Sequence, residues 1–550
     1  MRLKYVEIEH YKHLNNFKLN FRPLDKKINP AAYRFFIGKN GSGKSAAIEA
    51  ISLIFTRILQ DETPGFRFKV VYMIEADGHM TEVTVCNNED LDNEYCNPLS
   101  LGQVNEYLKD IDCQSKLMVT IKTQEHGEQR LSLRDKPFSQ RRQYHPKRII
   151  AQASGPTTIL EDVLIQSAEM SLKSDLYDVR EGAKTDRDYN ERANEISLLE
   201  GKLKLIRDES PFLFIDSENA IFVMIALCAC SPFSNSIEKY CDLREKLFGV
   251  VGNIQPISFS LVIDETALDE LKKRAENLTS PERFFLSLMD TEADYADLII
   301  RRKSSIQKWE ELEEGNEKHE IVALFYIEMM ASAQGFSYHV PSLDKAYDPI
   351  ILLATLLHAH REGFLLSAHL AFQLNEEEDL LTNGSFSDGE YMWLARLGLA
   401  LLSRYEHDSL FLFDEPDVYL NENWNIDFVR LLFEFTYDRA NNSQEFIIAT
   451  HSTLVLTDVE PNQLYHFVLD TEGHPKIKPN TISPFGASRD EISMRIFGTP
   501  GYSGEFSKNR LSKLLEEAKT IEELRELEKK VGPGRLQFSI RDRIYEIEED

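Results

Sequence analysis

The sequence predicts an α/β fold in which a mixed sheet is joined by an antiparallel β lobe and interrupted by a large helical insertion. Three observations predict it. An apolar strand, Tyr33 to Gly38, runs into a glycine-rich loop and then a helical pattern from Lys44 to Leu59. Short alternating runs separated by turns fill residues 66–132, which is typical of antiparallel strands. From about residue 160 to 374, apolar residues mostly recur at helical spacing.

Length and composition limit the class of protein. A chain of 550 residues is too long for one compact core, so we expect several structural units. The 63 basic and 91 acidic side chains give a formal net charge of −28, which argues against a broadly basic surface that coats nucleic acid. The densest basic run, Lys136 to Arg148, leaves open a local basic groove or a solvated loop.

The cysteines and the hydropathy of the chain indicate its cellular compartment. The six cysteines form no paired CxxC spacing, so we expect no zinc site, and their sparsity fits a reducing cytoplasm. The longest apolar run, Ala220 to Cys230, is too short to cross a bilayer. The sequence therefore predicts a cytoplasmic protein without a membrane partner.

Four segments are predicted along the chain. We expect an N-terminal lobe over residues 1–160, a helical arm over 161–375, a C-terminal lobe over 376–485 and a helical tail over 486–550. The C-terminal lobe is recognised by a return of alternating helix and strand patterns, such as "GEYMWLARLGLALLSRY" followed by "SLFLFDEP". The tail is predicted from the charged helical pattern "NRLSKLLEEAKTIEELRELEKK".

The glycine-rich loop "GKNGSGKS" matches the spacing G-x-x-x-x-G-K-S/T of a phosphate-binding loop. Its glycines let backbone N–H groups close around phosphate oxygens where a side chain would collide. Lys44 can reach the β- and γ-phosphates of a nucleotide, and Ser45 can ligate Mg²⁺. The motif follows a strand and opens a helix, which is the context it requires. The predicted nucleotide-binding residues are Gly38, Lys39, Asn40, Gly41, Ser42, Gly43, Lys44, Ser45 and Ala46.

Two later strands end in residues suited to hydrolysis. The apolar run Leu410 to Phe413 leads into Asp414, which is predicted to hold hydrated Mg²⁺, and Glu415, which is placed to activate an attacking water. The next strand, in "IIATHS", ends at His451, which can hydrogen-bond a γ-phosphate. The alternatives are a strand that merely ends in acidic turn residues and a structural histidine. With the phosphate-binding loop present, we favour the catalytic interpretation for Lys44, Glu415 and His451.

A small polar loop, "FSDGE", precedes the acidic strand by about one helix. Ser387 and Glu390 have the spacing of a capping box, so a plain helix cap is one interpretation of this loop. The order of the motifs, however, resembles the ABC-type ATPase heads of the AAA family, including the SMC, RecF and OLD-like proteins. The resemblance implies that ATP is the nucleotide and that this loop is the signature motif, made of Ser387, Asp388, Gly389 and Glu390. It further implies that Ser387 and Gly389 contact the γ-phosphate bound by a second subunit.

The same resemblance implies further parts. It implies a homodimer closed around two ATP molecules, with a higher oligomer left open. It implies a glutamine in the Mg²⁺ site, for which Gln152 in "RIIAQASG" is the candidate and Gln143 the alternative. It also implies that Asp417, in the loop after Asp-Glu-Pro, helps the two heads communicate.

The whole layout is most similar to the ATPase subunit of Septu-type anti-phage defence systems, including the form linked to retrons. The segments that carry this likeness are "KRIIAQASG", "DEPDVYLNENW" and "GPGRLQFSIRDRIYEIE". The resemblance implies an HNH nuclease partner and, for the retron form, a reverse transcriptase with its RNA–DNA hybrid. The expected function is an ATP-driven head dimer that controls the partner effector nuclease.

Three other functions fit the sequence less well. A RecF-like or Rad50-like DNA-repair ATPase is the main alternative, although the chain is acidic and lacks a long coiled coil. An OLD-type nuclease is disfavoured because the residues after His451 lack the spaced carboxylates of a metal nuclease. A transporter subunit is disfavoured by the large insertion.

Overall fold

The computed structural model describes most of the chain. The described residues are 1–23, 31–60, 62–87, 117–123, 127–131, 142–154, 159–161, 164, 167–181, 186–229, 237–252, 254–274, 278–289, 296–302, 319–326, 349–374, 380–437, 443–479, 483–499, 504–518, 520–532 and 534–549. The basic run Lys136 to Arg148 lies only partly within them, because its first six residues are outside the described ranges.

The strands and helices are numbered in chain order. The strands are β1 Arg2–Tyr11, β2 Leu14–Asn20, β3 Ala32–Ile37, β4 Phe68–Ala76, β5 His79–Asn87, β6 Leu117–Thr123, β7 Gly127–Leu131, β8 Ile149–Ala153, β9 Phe212–Ile215, β10 Ile254–Asp264, β11 Ala296–Arg302, β12 His319–Tyr326, β13 Leu365–Leu374, β14 Leu380–Thr382, β15 Leu410–Asp414, β16 Glu445–Ala449, β17 Leu464–Leu469 and β18 Pro475–Lys478. The helices are α1 Lys44–Gln60, α2 Ile159–Glu161, α3 Ser167–Glu181, α4 Asp186–Glu209, α5 Ala220–Ala229, α6 Ile237–Gly249, α7 Glu265–Lys273, α8 Ser280–Leu288, α9 Pro349–Arg361, α10 Asp388–Leu402, α11 Glu422–Thr436, α12 Thr453–Leu456, α13 Arg489–Arg495, α14 Glu505–Glu517, α15 Ile521–Lys530 and α16 Arg535–Glu549.

The central sheet has seven strands in the order β18-β17-β3-β16-β15-β8-β9. Neighbouring strands from β17 to β9 pair in parallel, and β18 pairs antiparallel with β17. Every residue of β3, β8 and β16 is buried, which explains their nearly continuous apolar sequences. Because parallel strands end at the same edge, the loops after β3, β15 and β16 meet there.

A six-stranded antiparallel sheet in the order β2-β1-β4-β5-β6-β7 forms the predicted β lobe. Its buried residues, such as Val70 and Tyr72, share one core with the apolar face of α1, which includes Ile51 and Phe55. The burial of β4 alternates along the strand, as its period-two pattern requires. The α/β fold with a mixed sheet and an antiparallel lobe is therefore confirmed.

The prediction of a helical insertion over residues 161–375 is wrong in part. Strand β9 completes the central sheet beside β8, and β10 to β13 belong to a five-stranded antiparallel sheet in the order β11-β12-β10-β13-β14. Strand β10 pairs with β13 about a hundred residues later in the chain. Because these partners are so far apart, no short turn marks them as a hairpin.

The tail forms the predicted helices. Helices α14, α15 and α16 pack around a small apolar cluster of their own, which contains Leu511, Leu524, Leu527, Ile540 and Ile544. Among the described residues, no helix combines the length and the apolar character needed to cross a membrane.

Candidate functional site

The site lies at the edge of the central sheet where β3, β16 and β15 end side by side. Strand β16 is the middle one: Ala449 pairs with Phe36 of β3 on one side and with Asp414 of β15 on the other. The glycine-rich loop follows β3, Glu415 follows β15, and His451 follows β16. The loop at residues 38–45 is thereby placed at the same level of one sheet as two segments that follow it by more than three hundred residues.

The glycine-rich loop has the backbone that a phosphate cradle requires. Gly41 and Gly43 have φ angles of +77° and +99°, which residues with a Cβ rarely adopt. A Cβ at Gly43 would also lie 2.6 Å from Cγ of Pro475. The hydroxyl of Ser42 is buried and has no hydrogen-bond partner among the described residues, as expected of a group that faces a phosphate oxygen.

Lys44 lies at the centre of the site. Its Nζ atom is 2.6 Å from Nε2 of His451 and 3.3 Å from the carbonyl oxygen of Gly38. The side chain is buried, and this burial lowers the pKa of Lys44, while the charges of Glu415 and Asp414 act in the opposite direction. The predicted phosphate lysine and the predicted switch histidine are therefore in direct contact.

His451 is neutral at pH 7. Burial, followed by the nearby charge of Lys44, lowers the pKa of His451 to about 4. With Lys44 donating to Nε2, we assign the ring proton to Nδ1. Oε1 of Glu415 lies 3.4 Å from the same Nε2, and in this tautomer that approach is neither a hydrogen bond nor an ion pair. His451 thus lies between the predicted phosphate-binding cation and the predicted base.

Asp414 and Ser45 form a pair suited to a hard cation. The Ser45 hydroxyl donates a hydrogen bond to the carboxylate of Asp414, and burial raises the pKa of Asp414 to about 6. The second carboxylate oxygen, Oδ1, is buried and has no hydrogen-bond partner in the part of the chain that the structure describes. An oxygen pair with an unpartnered carboxylate oxygen beside a phosphate cradle fits Mg²⁺, which prefers oxygen ligands and binds through few protein groups together with substrate phosphates.

The structure does not bring Gln152 to this metal pair. Gln152 pairs with Phe413, and Ala153 pairs with Asp414, so Gln152 and Asp414 point to opposite faces of the sheet. Both amide atoms of Gln152 are buried on the face away from α1, and no described residue is their hydrogen-bond partner. The register of β8 therefore argues against Gln152 as a ligand of the Ser45 and Asp414 pair. The alternative, Gln143, lies in a short 3₁₀ turn and donates to Asp77 at 3.3 Å.

The Ser387 loop caps helix α10. The Ser387 hydroxyl donates to Glu390 at 2.8 Å, and the Glu390 N–H donates back to that hydroxyl at 3.4 Å, which forms a capping box. Ser387 and Asp388 are exposed at the helix start. Gly389 packs against the loop that follows β15, because a Cβ there would lie 2.7 Å from the carbonyl oxygen of Tyr419. The cap is therefore real, and a contact across subunits stays a prediction.

The loop after β15 has an unusual backbone at Glu415. Its φ is +52°, in the left-handed region that non-glycine residues rarely occupy. The Glu415 N–H donates to Ala449 at 2.9 Å, and its carbonyl accepts a hydrogen bond from the Ser154 hydroxyl at 2.6 Å. Asp417, predicted to communicate between heads, accepts a hydrogen bond from Thr450 in the same chain, and burial raises its pKa. The role of Asp417 in communication between heads stays a prediction.

Sequence reasoning missed Arg396. It lies in the apolar helix α10 and is almost fully buried. Its guanidinium donates to the carbonyl of Pro416, to the carbonyl of Val418 at 2.7 Å and to the Ser154 hydroxyl at 2.7 Å. The available signal was an arginine within the apolar run "YMWLARLGLALL", since a buried charge needs specific partners.

A family model described as an AAA ATPase domain matches residues 1–320, which is more than half of the chain and includes the phosphate-binding loop. Asp414, Glu415 and His451 lie outside the matched residues. The comparison with curated proteins finds no match.

Several solved structures are similar to this chain at low identity. The SMC head domain from Thermotoga maritima is 11% identical, with 88% of this chain and 100% of that chain covered and a TM-score of 0.32. The Smc head domain with an extended coiled coil bound to the C-terminal domain of ScpA, from Pyrococcus furiosus, is 12% identical, with 87% and 96% covered and a TM-score of 0.28. An SMC head bound to the C-winged helix domain of ScpA is 10% identical, with 87% and 98% covered and a TM-score of 0.29.

Proposed function

Because the chain belongs to the AAA ATPase domain family, we propose that it binds ATP together with Mg²⁺ and hydrolyses it to ADP and phosphate. The observation that carries the proposal is the meeting of Lys44, Asp414, Glu415 and His451 at one edge of the central sheet. A phosphate cradle, a cation pair, a base and a neutral histidine together are the parts that phosphoryl transfer to water needs.

Each residue has a separate role in this proposal. The N–H groups of the loop after β3 and the Lys44 ammonium bind the β- and γ-phosphates. Ser45 and Asp414 would hold Mg²⁺, which when bound neutralises charge on the phosphate oxygens. Glu415 accepts the proton of the attacking water, and its side chain is 41% exposed, so water reaches it. Once Lys44 binds the phosphates instead of Nε2, neutral His451 would carry its proton on Nε2 and donate it in a hydrogen bond to the γ-phosphate.

Removal of Mg²⁺ tests the catalytic part of the proposal. Chelation with EDTA is expected to lower ATP turnover by about 100-fold or more, because charge on the transferring phosphoryl group is then unopposed. The variant Asp414→Asn is expected to need more Mg²⁺ for half-maximal turnover, measured by phosphate release across a Mg²⁺ titration. The matched control is Asp427→Asn on the exposed face of α11. Full turnover in EDTA would contradict the proposal.

We further propose that two copies complete each other's sites. Ser387 is exposed at the start of a fifteen-residue helix, whose N-terminus favours an anion. The resemblance to ABC-type heads assigns such a loop to the γ-phosphate of the opposite subunit. The Ser387 loop of one copy would then close over the ATP bound by the other copy.

Mixing two inactive variants is the test of this shared site. Lys44→Ala and Ser387→Arg are each expected to be inactive, whereas a mixed dimer retains one site with both residues intact. With random exchange in a two-fold dimer, roughly a quarter of the wild-type sites should return on mixing. The readout is phosphate release after co-refolding or co-expression of the two variants.

A matched control separates catalysis from helix capping in this experiment. Thr520 forms the same kind of capping box, with Glu523, at the start of α15 in the tail. Thr520→Arg removes that cap and should leave turnover unchanged. Failure of the Lys44→Ala and Ser387→Arg pair to regain activity, in a preparation shown to contain mixed dimers, would contradict a site shared between subunits.

The output we propose for the head dimer is control of a partner nuclease in anti-phage defence. The support is the resemblance of the layout to Septu-type ATPase subunits, which pair with an HNH nuclease and, in the retron form, with a reverse transcriptase and its RNA–DNA hybrid. The test is cellular: protection from phage should require Lys44 and the partner nuclease together. Sensitivity to DNA damage without any change in phage resistance would favour the RecF-like or Rad50-like alternative.

A further inference from the structure

Arg396 is the buried charge nearest in sequence to the signature loop. It is 1% exposed and lies nine residues after Ser387, which is about 13 Å along α10. The partners of its guanidinium are two backbone carbonyls, of Pro416 and Val418, and the hydroxyl of Ser154. Burial lowers the pKa of Arg396 to about 10, with the charge of Asp417 acting in the opposite direction. A buried cation with such partners is costly to keep unless its geometry is used.

Its partners surround the backbone of Glu415. Pro416 directly follows Glu415, and the Ser154 hydroxyl bridges the two sides: it accepts from Arg396 at 2.7 Å and donates to the Glu415 carbonyl at 2.6 Å. On the other side, the Glu415 N–H is bound to Ala449. The strained left-handed conformation of Glu415 is therefore fixed at both its N–H and its carbonyl.

Helix α10 touches this loop at two points. Near its start, Gly389 packs against the Tyr419 carbonyl, and in its middle, Arg396 binds Pro416 and Val418. Both contacts are to backbone atoms of the loop, so they fix its position independently of its side chains. A rigid helix that carries Ser387 at one end thus holds the loop that carries the base.

We propose that Arg396 is a positioning residue for ATP hydrolysis, which acts through Ser154 and the carbonyls of Pro416 and Val418 to hold Glu415 in its reactive place relative to α10. The inference rests on the proposed ATPase function. It assigns Arg396 to turnover and not to ATP binding, because none of its contacts is to the phosphate-binding loop.

The test compares turnover with binding in two variants. Arg396→Met removes three hydrogen bonds and is expected to lower kcat on the order of 100-fold, as displacement of a reacting group by about 1 Å can do. Ser154→Ala removes only the bridging hydroxyl and should lower kcat by about tenfold. In both variants KM and the ATP dissociation constant should stay within about twofold of wild type. Because the two residues act in one chain of contacts, the double variant should be no slower than Arg396→Met alone.

Arg404 provides a matched control for the structural cost. It is also buried, 2% exposed, and donates to two backbone carbonyls, of Glu434 at 3.0 Å and Phe435 at 2.7 Å. Those carbonyls lie at the far end of α11, away from Glu415. Arg404→Met should lower the melting temperature as Arg396→Met does, but leave kcat unchanged.

Three outcomes decide the matter. A selective loss of kcat in Ser154→Ala and Arg396→Met supports the inference, even if Arg396→Met folds poorly and only Ser154→Ala is measured. Unchanged kcat in Ser154→Ala, or an equal loss of kcat in Arg404→Met, overturns it while wild-type turnover leaves the ATPase function standing. A wild-type dimer that binds ATP without any turnover overturns the ATPase function itself.

Discussion

Glu415→Gln is expected to slow ATP hydrolysis by about 100- to 10,000-fold while leaving ATP binding intact, because general-base catalysis typically contributes that much. The amide has the size of the carboxylate but cannot accept the proton of the attacking water. Oε1 of Glu415 lies 3.4 Å from Nε2 of His451, and Glu415 directly follows Asp414. Among the described residues, no other acidic side chain is placed equally well to act as the base. If two copies share the sites, the variant should also accumulate as an ATP-bound dimer.

The measurement combines phosphate release with size-exclusion chromatography in the presence of ATP and Mg²⁺. Glu422→Gln is the matched control, because Glu422 lies in the same loop-and-helix segment, is exposed, and pairs with Arg489 instead of facing the site. Wild-type turnover in the Glu415→Gln protein would show that another group acts as the base. Loss of ATP binding would show that Glu415 acts mainly on the fold of its loop.

Lys44→Ala is expected to weaken ATP binding by roughly 100-fold or more and to abolish turnover. Each hydrogen bond to a charged group contributes about 1.5–3 kcal/mol, and Lys44 is predicted to bind two phosphates. The variant also removes the partner of His451 Nε2. Binding is measured by titration with a fluorescent ATP analogue, and in cells the same variant should lose phage protection.

Lys202→Ala serves as the control for the loss of a buried lysine. Lys202 is also buried and donates to a backbone carbonyl, that of Gln60, but it lies on α4 away from the sheet edge. It should lose stability without losing ATP affinity. Undiminished ATP binding by Lys44→Ala would remove the basis of the proposed function, because no other described lysine contacts His451.

The sequence was sufficient where a local motif and its structural context coincide. The glycine-rich loop, the strand before it and helix α1 were predicted because the glycines at 41 and 43 themselves indicate the loop backbone. Asp414 and His451 were predicted at strand ends, and parallel pairing through Ala449 brings them together. These predictions needed only strand identity and direction.

The features that the sequence did not predict depend on strand register or on partners far away in the chain. Gln152 is in the predicted strand, but a shift of one residue in register decides which face of a sheet a side chain joins. The five-stranded sheet was missed because β10 and β13 are joined by long intervening sequence. Arg396 was missed because its partners are mainly backbone carbonyls. Every residue has a backbone carbonyl, so the sequence does not indicate which ones bind an arginine.

The position of β16 between β3 and β15 has a consequence for how the chain matures. During synthesis, β3 leaves the ribosome some four hundred residues before β16, so its hydrogen-bonding edge stays unpaired for most of translation. Closure of so large a loop slows folding, and exposed strand edges promote aggregation until the loop has closed. A fragment that ends before Glu445 would leave that edge open, and we expect such fragments to require chaperones.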